Sequence, residues 1–391
     1  MNDERSGRMP DVVVVGAGMI GAACAEALSA AGVDVLVLDR GTPAGGTTAA
    51  GEGNVLVSDK EPGPELQLAI ASRQEWPKVL ARLPEQVADV EWEPKGGLVV
   101  ATTDPAPLEK FAAQQREAGV DAQLITPAEA FELEPLLTRA VTTAAYYPED
   151  AQLQPVLATT ALLAAVRSRG GEVRSGVTAV SVRRAATGRV IGVETDAGLI
   201  DCVAVVNACG PWAGAFGAAV GGPIEVLPRR GMILVTAPLP ECVRHKVYDA
   251  DYVGAVGSGD ADLQTSTVVE STRSGTVLIG SSRERIGFDD TVKVHVLREL
   301  ARKAVGLFPF LADVAVIRTY GGFRPYAPDH LPVLGPDPRV PGLWHATGHE
   351  GAGIGLAAST GRLVTELFIG VPPHVDPEPF RVDRPAVVGL P

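Results

Sequence analysis

The chain has 391 residues, enough at roughly 150 per domain for two or three domains. With 46% hydrophobic and 21% charged residues it reads as a folded globular protein, which excludes a disordered chain and a small scaffold stapled by disulfides or metal. Its 47 acidic residues outnumber 34 basic ones for a net charge of −13, and no run of Lys or Arg could track a phosphate backbone, so nucleic acid is not expected as a partner.

Residues 11–21 read Asp-Val-Val-Val-Val-Gly-Ala-Gly-Met-Ile-Gly, followed by an alanine-rich helical stretch to Ala31, a stop at Gly32 and a second apolar run over 33–38 ending in Asp39. A continuous apolar strand of this kind belongs in a parallel sheet covered on both faces. Although Arg5 and Arg8 precede it, Asp11 interrupts the join and the uncharged part falls short of the roughly 20 residues a membrane span needs. Neither a signal peptide nor a span is expected. Further on, the patterning predicts helices over 62–83, 107–118 and 155–169, and strands over 96–100, 172–182, 189–195 and 200–207. It continues with β-rich segments over 224–236 and 264–280 and helices over 291–307 and 352–367. After Gly370 the proline-rich tail lacks periodicity and is expected either to lie over the surface or to be loose. Cys24, Cys202, Cys209 and Cys242 form neither a CxxC pair nor a metal spacing with His, so buried thiols in a reducing cytoplasm are expected, with no metal site.

Dinucleotide-type elements at the start, in the middle and at the end, with β-rich segments between them, predict an α/β fold. Its Rossmann-like nucleotide-binding domain is discontinuous (10–82, 143–222 and 322–370), and an α+β substrate domain built on an antiparallel sheet (83–142 and 223–321) is inserted into it. Residues 371–391 form the tail.

Gly16-x-Gly18-x-x-Gly21 sits between the first strand and the helix opened by Met19 and Ile20. Gly16 permits the tight turn, Gly18 lets the backbone approach a pyrophosphate, and Gly21 allows helix and strand to pack closely. The helix N-terminus offers unpaired N–H groups and its positive dipole end to phosphate. Asp39, at the end of the second strand, is placed to accept ribose hydroxyls, and an acid there, beside Arg40, argues against a 2′-phosphate. FAD and NAD share this fingerprint. The stretch 45–54, Gly-Gly-Thr-Thr-Ala-Ala-Gly-Glu-Gly-Asn, is small and polar, and by itself reads as a flexible loop.

Four further blocks separate the two cofactors. Residues 205–212, Val-Val-Asn-Ala-Cys-Gly-Pro-Trp, resemble the second flavin-binding strand and turn of the D-amino-acid oxidase-type superfamily. Residues 321–329, Gly-Gly-Phe-Arg-Pro-Tyr-Ala-Pro-Asp, followed by Pro-Val-Leu-Gly at 332–335, resemble its G-x-R-P-x-x-P-D-x-x-P-x-x-G block. Residues 346–354, Ala-Thr-Gly-His-Glu-Gly-Ala-Gly-Ile, resemble its closing flavin loop, and 228–234 with 280–289 resemble its substrate-domain strands. Within the superfamily the pattern is similar to glycine oxidase, sarcosine oxidase and the flavin subunits of proline-, hydroxyproline- and opine-oxidising dehydrogenases.

The resemblance implies FAD, held by Gly16, Gly18, Met19, Ile20, Gly21, Asp39 and Arg40, and by Thr47, Thr48, Ala49, Gly51, Glu52, Gly53 and Asn54 of the small loop. It also implies Ala179 and Val180 beside the adenine, Ala208, Gly210 and Trp212, and Gly348, His349, Glu350, Gly351, Gly353 and Ile354 of the closing loop. A glycine-rich loop before a helix aims N–H groups at the negative charge of a reduced flavin. Arg324 would anchor a substrate carboxylate through its planar fork and also touch the cofactor. Tyr248 and Tyr252 lie in the β-rich domain, where related oxidases place aromatic side chains over the flavin. No strongly placed base emerges.

Three departures qualify the resemblance. The lysine that helps sarcosine oxidases react with oxygen is replaced within Val277-Leu278-Ile279-Gly280. No cysteine follows Cys242, so FAD is expected to be non-covalent. Glycine oxidase carries an arginine where Gly351 stands, which leaves a roomier pocket. The expected activity is oxidation of the C–N bond of a small amino acid or N-substituted glycine, with O2 or an electron-accepting partner as oxidant. The alternatives are a flavin subunit of a heteromeric dehydrogenase and a non-catalytic flavin-binding protein.

Overall fold

The computed structural model describes residues 9–251 and 259–388. A six-stranded sheet runs in the order Val333–Pro336, Leu343–Thr347, Ala204–Asn207, Val12–Val15, Val35–Asp39, Glu172–Ser175, all parallel except the antiparallel edge strand Val333–Pro336. The unbroken apolar first strand is explained by burial on both faces. Val12 and Val14 join the core under the helices, while Val13 and Val15 pack against a three-stranded antiparallel sheet built from 179–201. The helices Met19–Ala30, Pro155–Ser168 and Gly353–Ile369 cover the first face. They approach closely because their contacts are small: a Cβ on Gly361 would lie 2.4 Å from the carbonyl oxygen of Ala23.

The second body is an eight-stranded sheet in the order Val316–Tyr326, Leu227–Thr236, Val277–Arg283, Gln264–Ser271, Lys246–Asp249, Gly97–Ala101, Thr143–Tyr147, Gln123–Ile125. It is antiparallel apart from one parallel pair, Lys246–Asp249 with Gly97–Ala101. Period-2 alternation divides the strand Leu227–Thr236: Met232 and Leu234 enter a core with Val296, Leu300, Ala304 and Leu307 of the amphipathic helix Val294–Leu307, while Gly231 and Ile233 turn toward a cavity. Because strands of the two sheets interleave along the chain, the nucleotide-binding body is discontinuous, as the sequence predicts.

Several expectations need correction. The segments 172–182 and 200–207 are not single strands; each divides between the parallel sheet and the three-stranded sheet, the first at Gly176, whose φ of 71° turns the chain. The strand Thr143–Tyr147, expected with the nucleotide-binding segments, pairs in the large sheet, and the strand Val316–Tyr326 crosses the expected boundary at 322. The tail is docked. Phe380, Val382 and Val387 are buried, and Arg384 grips Asp329 and the carbonyls of Leu331 and Pro332. Three scattered apolar residues make no period, which hid this contact. No helix of the described residues is long and apolar enough to cross a membrane.

Candidate flavin site

The glycine turn forms as its spacing requires. Gly16 has φ 111°, and a Cβ there would fall 2.4 Å from the carbonyl oxygen of Ala208; a Cβ on Gly21 would fall 1.9 Å from the oxygen of Gly16. The helix Met19–Ala30 starts at Gly18 with no side-chain cap of its own, and Thr48 Oγ1 accepts the N–H of Met19 at 3.0 Å. Asp39 accepts the N–H groups of Ala17 at 2.7 Å and Gly41 at 2.8 Å, fixing the carboxylate beside the turn.

These groups line a cavity of about 610 Å³, within the range of small-molecule sites. The cavity also meets Thr47, Gly51, Glu52, Gly53, Asn54, Ala179, Val180, Ala208, Gly210, Trp212, Arg324, His349, Glu350, Gly351, Gly353 and Ile354. Three expected contacts do not line it. Gly21 acts through helix packing, Ala49 is exposed on its short 3-10 turn, and Gly348 turns the chain with φ 78° against Val333. Arg40, at the surface, lies over the Trp212 ring at 4.5 Å, and Phe288 stacks on Trp212 at 5.4 Å.

The small loop reads as flexible in isolation but is anchored here. Thr47 Oγ1 donates to the carbonyl of Phe323 at 2.6 Å, and a Cβ on Gly322 would meet the Ala50 Cβ at 2.5 Å, so the loop presses on the strand that carries Arg324. Arg324 donates to the carbonyl of Ser282 at 2.8 Å. Gly231 lies against its guanidinium, and a Cβ on Gly351 would stand 3.4 Å from its Nε. At the position of the missing lysine, Leu278 packs with Ile233, Val235 and Tyr320.

Burial holds His349 neutral, with its pKa lowered to about 3; Nε2 pairs with Thr360 Oγ1 at 2.9 Å, and Nδ1 has no hydrogen-bond partner among the described residues. Glu350, at φ 47°, is bonded through its carboxylate to Arg229 and to His330 Nδ1 at 3.1 Å. Burial acts to raise its pKa, but His330, Arg229 and Arg283 outweigh it and hold the carboxyl below its ordinary value. Glu52 Oε1 is buried without a hydrogen-bond partner among the described residues. Behind it, Lys246 is bonded to Asn54 and to Glu270, the latter at 2.7 Å. Cys209, at the cavity wall, is a thiol pushed up to about 12 by burial.

Tyr248 does not reach the cavity. It is fully buried and donates to Ser58 in a network with Asp150, so its aromatic character serves the core. Tyr252 lies outside the described residues. Sequence reasoning missed Ala215, Phe216 and Ala219, which follow Trp212 on one short helix, and Val177 and Thr178, which adjoin the expected adenine contacts. The small residues after Trp212 were the available signal. No cluster among the described residues could hold a metal ion.

A family model described as FAD dependent oxidoreductase (DAO) matches residues 11–367. The chain belongs to this family. It is 30% identical over 388 residues to the glycine oxidase of Geobacillus kaustophilus, covering 96% of this chain and 97% of that protein. It is 29% identical over 428 residues to the hydrogen cyanide synthase subunit HcnC of Pseudomonas aeruginosa, covering 98% and 99%. The crystal structure of the Geobacillus kaustophilus glycine oxidase superposes with a TM-score of 0.87 at 28% identity, covering 96% and 98% of the two chains. The protein is therefore an FAD-dependent oxidoreductase, and its residues fit the cofactor. A turn that no Cβ could enter, a helix N-terminus opened by a glycine, and two polar atoms on lining residues that have no hydrogen-bond partner among the described residues, Glu52 Oε1 and His349 Nδ1, all belong to one cavity.

Proposed function

We propose that this enzyme oxidises the C–N bond of a small amino acid or N-substituted glycine, with FAD held non-covalently. The observation that carries this reading is Arg324, whose guanidinium borders the flavin cavity between two glycines, Gly231 and Gly351, that leave it room to take a carboxylate through two parallel N–H bonds. When bound, FAD supplies the two-electron acceptor that takes hydride from the carbon beside nitrogen. Arg324 fixes the carboxylate and so orients that carbon, and positioning of this kind supplies a large share of the barrier reduction. The loop before the helix Gly353–Ile369 and the first residues of that helix, Gly353 and Ile354, line the same cavity, so the positive end of the helix dipole lies beside it. His349, neutral across the working pH range, adds no charge there. The amine sheds its proton before oxidation. The imine product then takes up water and divides into glyoxylate or a keto acid plus the free amine.

The test is an anaerobic titration of the purified protein with glycine, N-methylglycine, proline and an N-carboxymethyl amino acid, read at the flavin band near about 450 nm. Bleaching by one of them supports the reading. Rapid recovery in air with peroxide then identifies an oxidase, while slow recovery identifies a dehydrogenase that needs an electron-accepting partner. A flavin that dithionite reduces but none of the amines does would sink the proposal.

A further inference from the structure

Glu52 belongs to the small loop, but its carboxylate reaches the eight-stranded sheet. A Cβ on Gly280, in the strand Val277–Arg283, would fall 2.6 Å from Glu52 Oε1, so the carboxylate rests where that strand is bare, and Glu52 lines the same cavity as Arg324. We propose that the Glu52 carboxylate receives the ammonium group of the substrate and takes a proton from it, while Arg324 holds the substrate carboxylate. The inference rests on the amine-oxidation reading above and supplies the proton acceptor that this reading lacks.

The first argument is spacing. The ladder pairs Leu234 with Ile279, and its next rung sets Gly280 beside Ile233, whose Cδ1 would lie 3.0 Å from a Cβ on Gly280. Gly231, two positions from Ile233 and on the same face, carries the Arg324 guanidinium. Gly231 and Gly280 are therefore diagonal neighbours, about 7–8 Å apart. The nitrogen and carboxylate of an α-amino acid, extended by a hydrogen bond of about 2.9 Å at each end, cover a span of that order. Between the two charges, Ile233 gives the cavity an apolar wall.

The second argument is charge. Oε1 has no hydrogen-bond partner among the described residues, and Oε2 takes only a long contact from Asn54 Nδ2 at 3.5 Å, whereas a carboxylate can accept about four bonds. The ionisable groups facing Glu52 from the sheet are Glu270 and Tyr320, and the cations beside them are engaged elsewhere. Lys246 is bonded to Asn54 and Glu270, Lys95 donates to the carbonyl of Ser271 and stands 3.6 Å from Glu93, and Arg318 lies over the Tyr320 ring at 5.2 Å. Burial raises Glu270 against the pull of Lys246 and Lys95, and it keeps the Tyr320 phenol protonated. On the cavity side His349 is neutral and Glu350 is taken by Arg229 and His330. A substrate ammonium brings the cation that Glu52 lacks, and Asn54, itself held by Lys246, steadies the carboxylate. One N–H bond of the ammonium breaks and its proton passes to Glu52. The nitrogen lone pair then forms a C=N bond as the neighbouring C–H bond breaks and its hydride passes to bound FAD, and Glu52 returns its proton to water when the product leaves.

The test uses the flavin-loaded protein and two carboxylates of matching shape without an oxidisable amine: dimethylsulfonioacetate, which carries a positive charge, and 3-methylbutanoate, which does not. Binding is followed through the perturbed flavin spectrum. The wild type should bind the cationic ligand about tenfold or more tightly; in Glu52→Gln the ratio should fall to about one, and in Glu52→Asp it should be partly restored. Equal affinities in the wild-type protein would overturn the proposal even if no variant folds, and so would an undiminished ratio in Glu52→Gln. The limiting rate of anaerobic reduction by N-methylglycine is the second readout. In Glu52→Gln it should fall by about a hundredfold at pH 7 and climb by about tenfold per pH unit toward the wild-type rate as the free amine loses its proton, a change of profile that a merely structural role does not produce. A variant rate that follows the wild type at every pH would also overturn the proposal. A preference for the cationic ligand without reduction by any amine leaves the ammonium contact standing and removes the amine-oxidation reading, whereas reduction with equal affinities does the reverse.

Discussion

Gly231 and Arg324 meet across the ladder between the strands Leu227–Thr236 and Val316–Tyr326, where a Cβ on Gly231 would lie 2.2 Å from Nη1 of Arg324. The backbone of one strand is thus bare where the other needs space for a guanidinium. Gly231→Ala should displace the fork and weaken amino-acid substrates by about tenfold or more, a loss of ~1.4 kcal/mol, while flavin content stays near that of the wild type. Arg324→Lys should lose more, since a point charge cannot restore two parallel bonds. Substrate dissociation constants from anaerobic flavin reduction, set beside the flavin-to-protein ratio, test both.

A second glycine is predicted to control cofactor binding. With 1.9 Å between a Cβ at Gly21 and the oxygen of Gly16, Gly21→Val must push the helix Met19–Ala30 off the turn. The expected product is a folded but colourless protein with flavin affinity reduced by at least about a hundredfold, read by absorbance and by far-UV circular dichroism. Retention of bound flavin by this variant would contradict the assigned role.

Glu65 should give the protein a measurable pH dependence. Its ordinary pKa of 4.5 is raised to about 7, first by burial and further by Asp59 and Glu350, against the opposing influence of Lys60 and His330. Between these two values the folded chain binds more protons than the unfolded one, so stability falls as pH rises through this window and the cost persists above it. Glu65→Gln removes the cost. Melts at pH 4.5 and pH 8 should coincide with the wild type at the acid end and show the variant more stable at the alkaline end, by at most about 3 kcal/mol. Asp150 is also raised to about 7 by burial, so part of the wild-type slope should remain in the variant.

The docked tail predicts a stability effect far from the flavin. Arg384 holds Asp329 through two nitrogens and adds bonds to the carbonyls of Leu331 and Pro332. Arg384→Ala should lower unfolding free energy by about 2 kcal/mol. Denaturant midpoints check this, and an unchanged midpoint would mean that the tail merely rests on the surface.

Much of the site was legible because its residues act close to their own backbone. The turn at Gly16, Gly18 and Gly21, the acid at Asp39 and the glycine-rich loop before Gly353 are local devices, and chain spacing alone places them. Tyr248 shows the opposite case: an aromatic on a β segment suits a flavin roof or a core equally well, and only its burial against Ser58 decides. The loop 45–54 carried no periodicity, and its order comes from Thr47 reaching Phe323, 276 positions away.

The sequence by itself determined the fold class, the dinucleotide fingerprint and the choice of FAD through a resemblance spread along most of the chain. Only the tertiary structure decided that residues 143–147 and 316–326 belong to the eight-stranded sheet, and that Arg229 and Glu350 pair across 121 positions. It alone also gathered Lys60, Glu65, Arg283 and His330 around one chamber. The physical reason is that periodicity and turn chemistry are set by neighbours in sequence. Electrostatic environment and cavity shape are set by neighbours in space, which residues so far apart acquire only when the chain is folded.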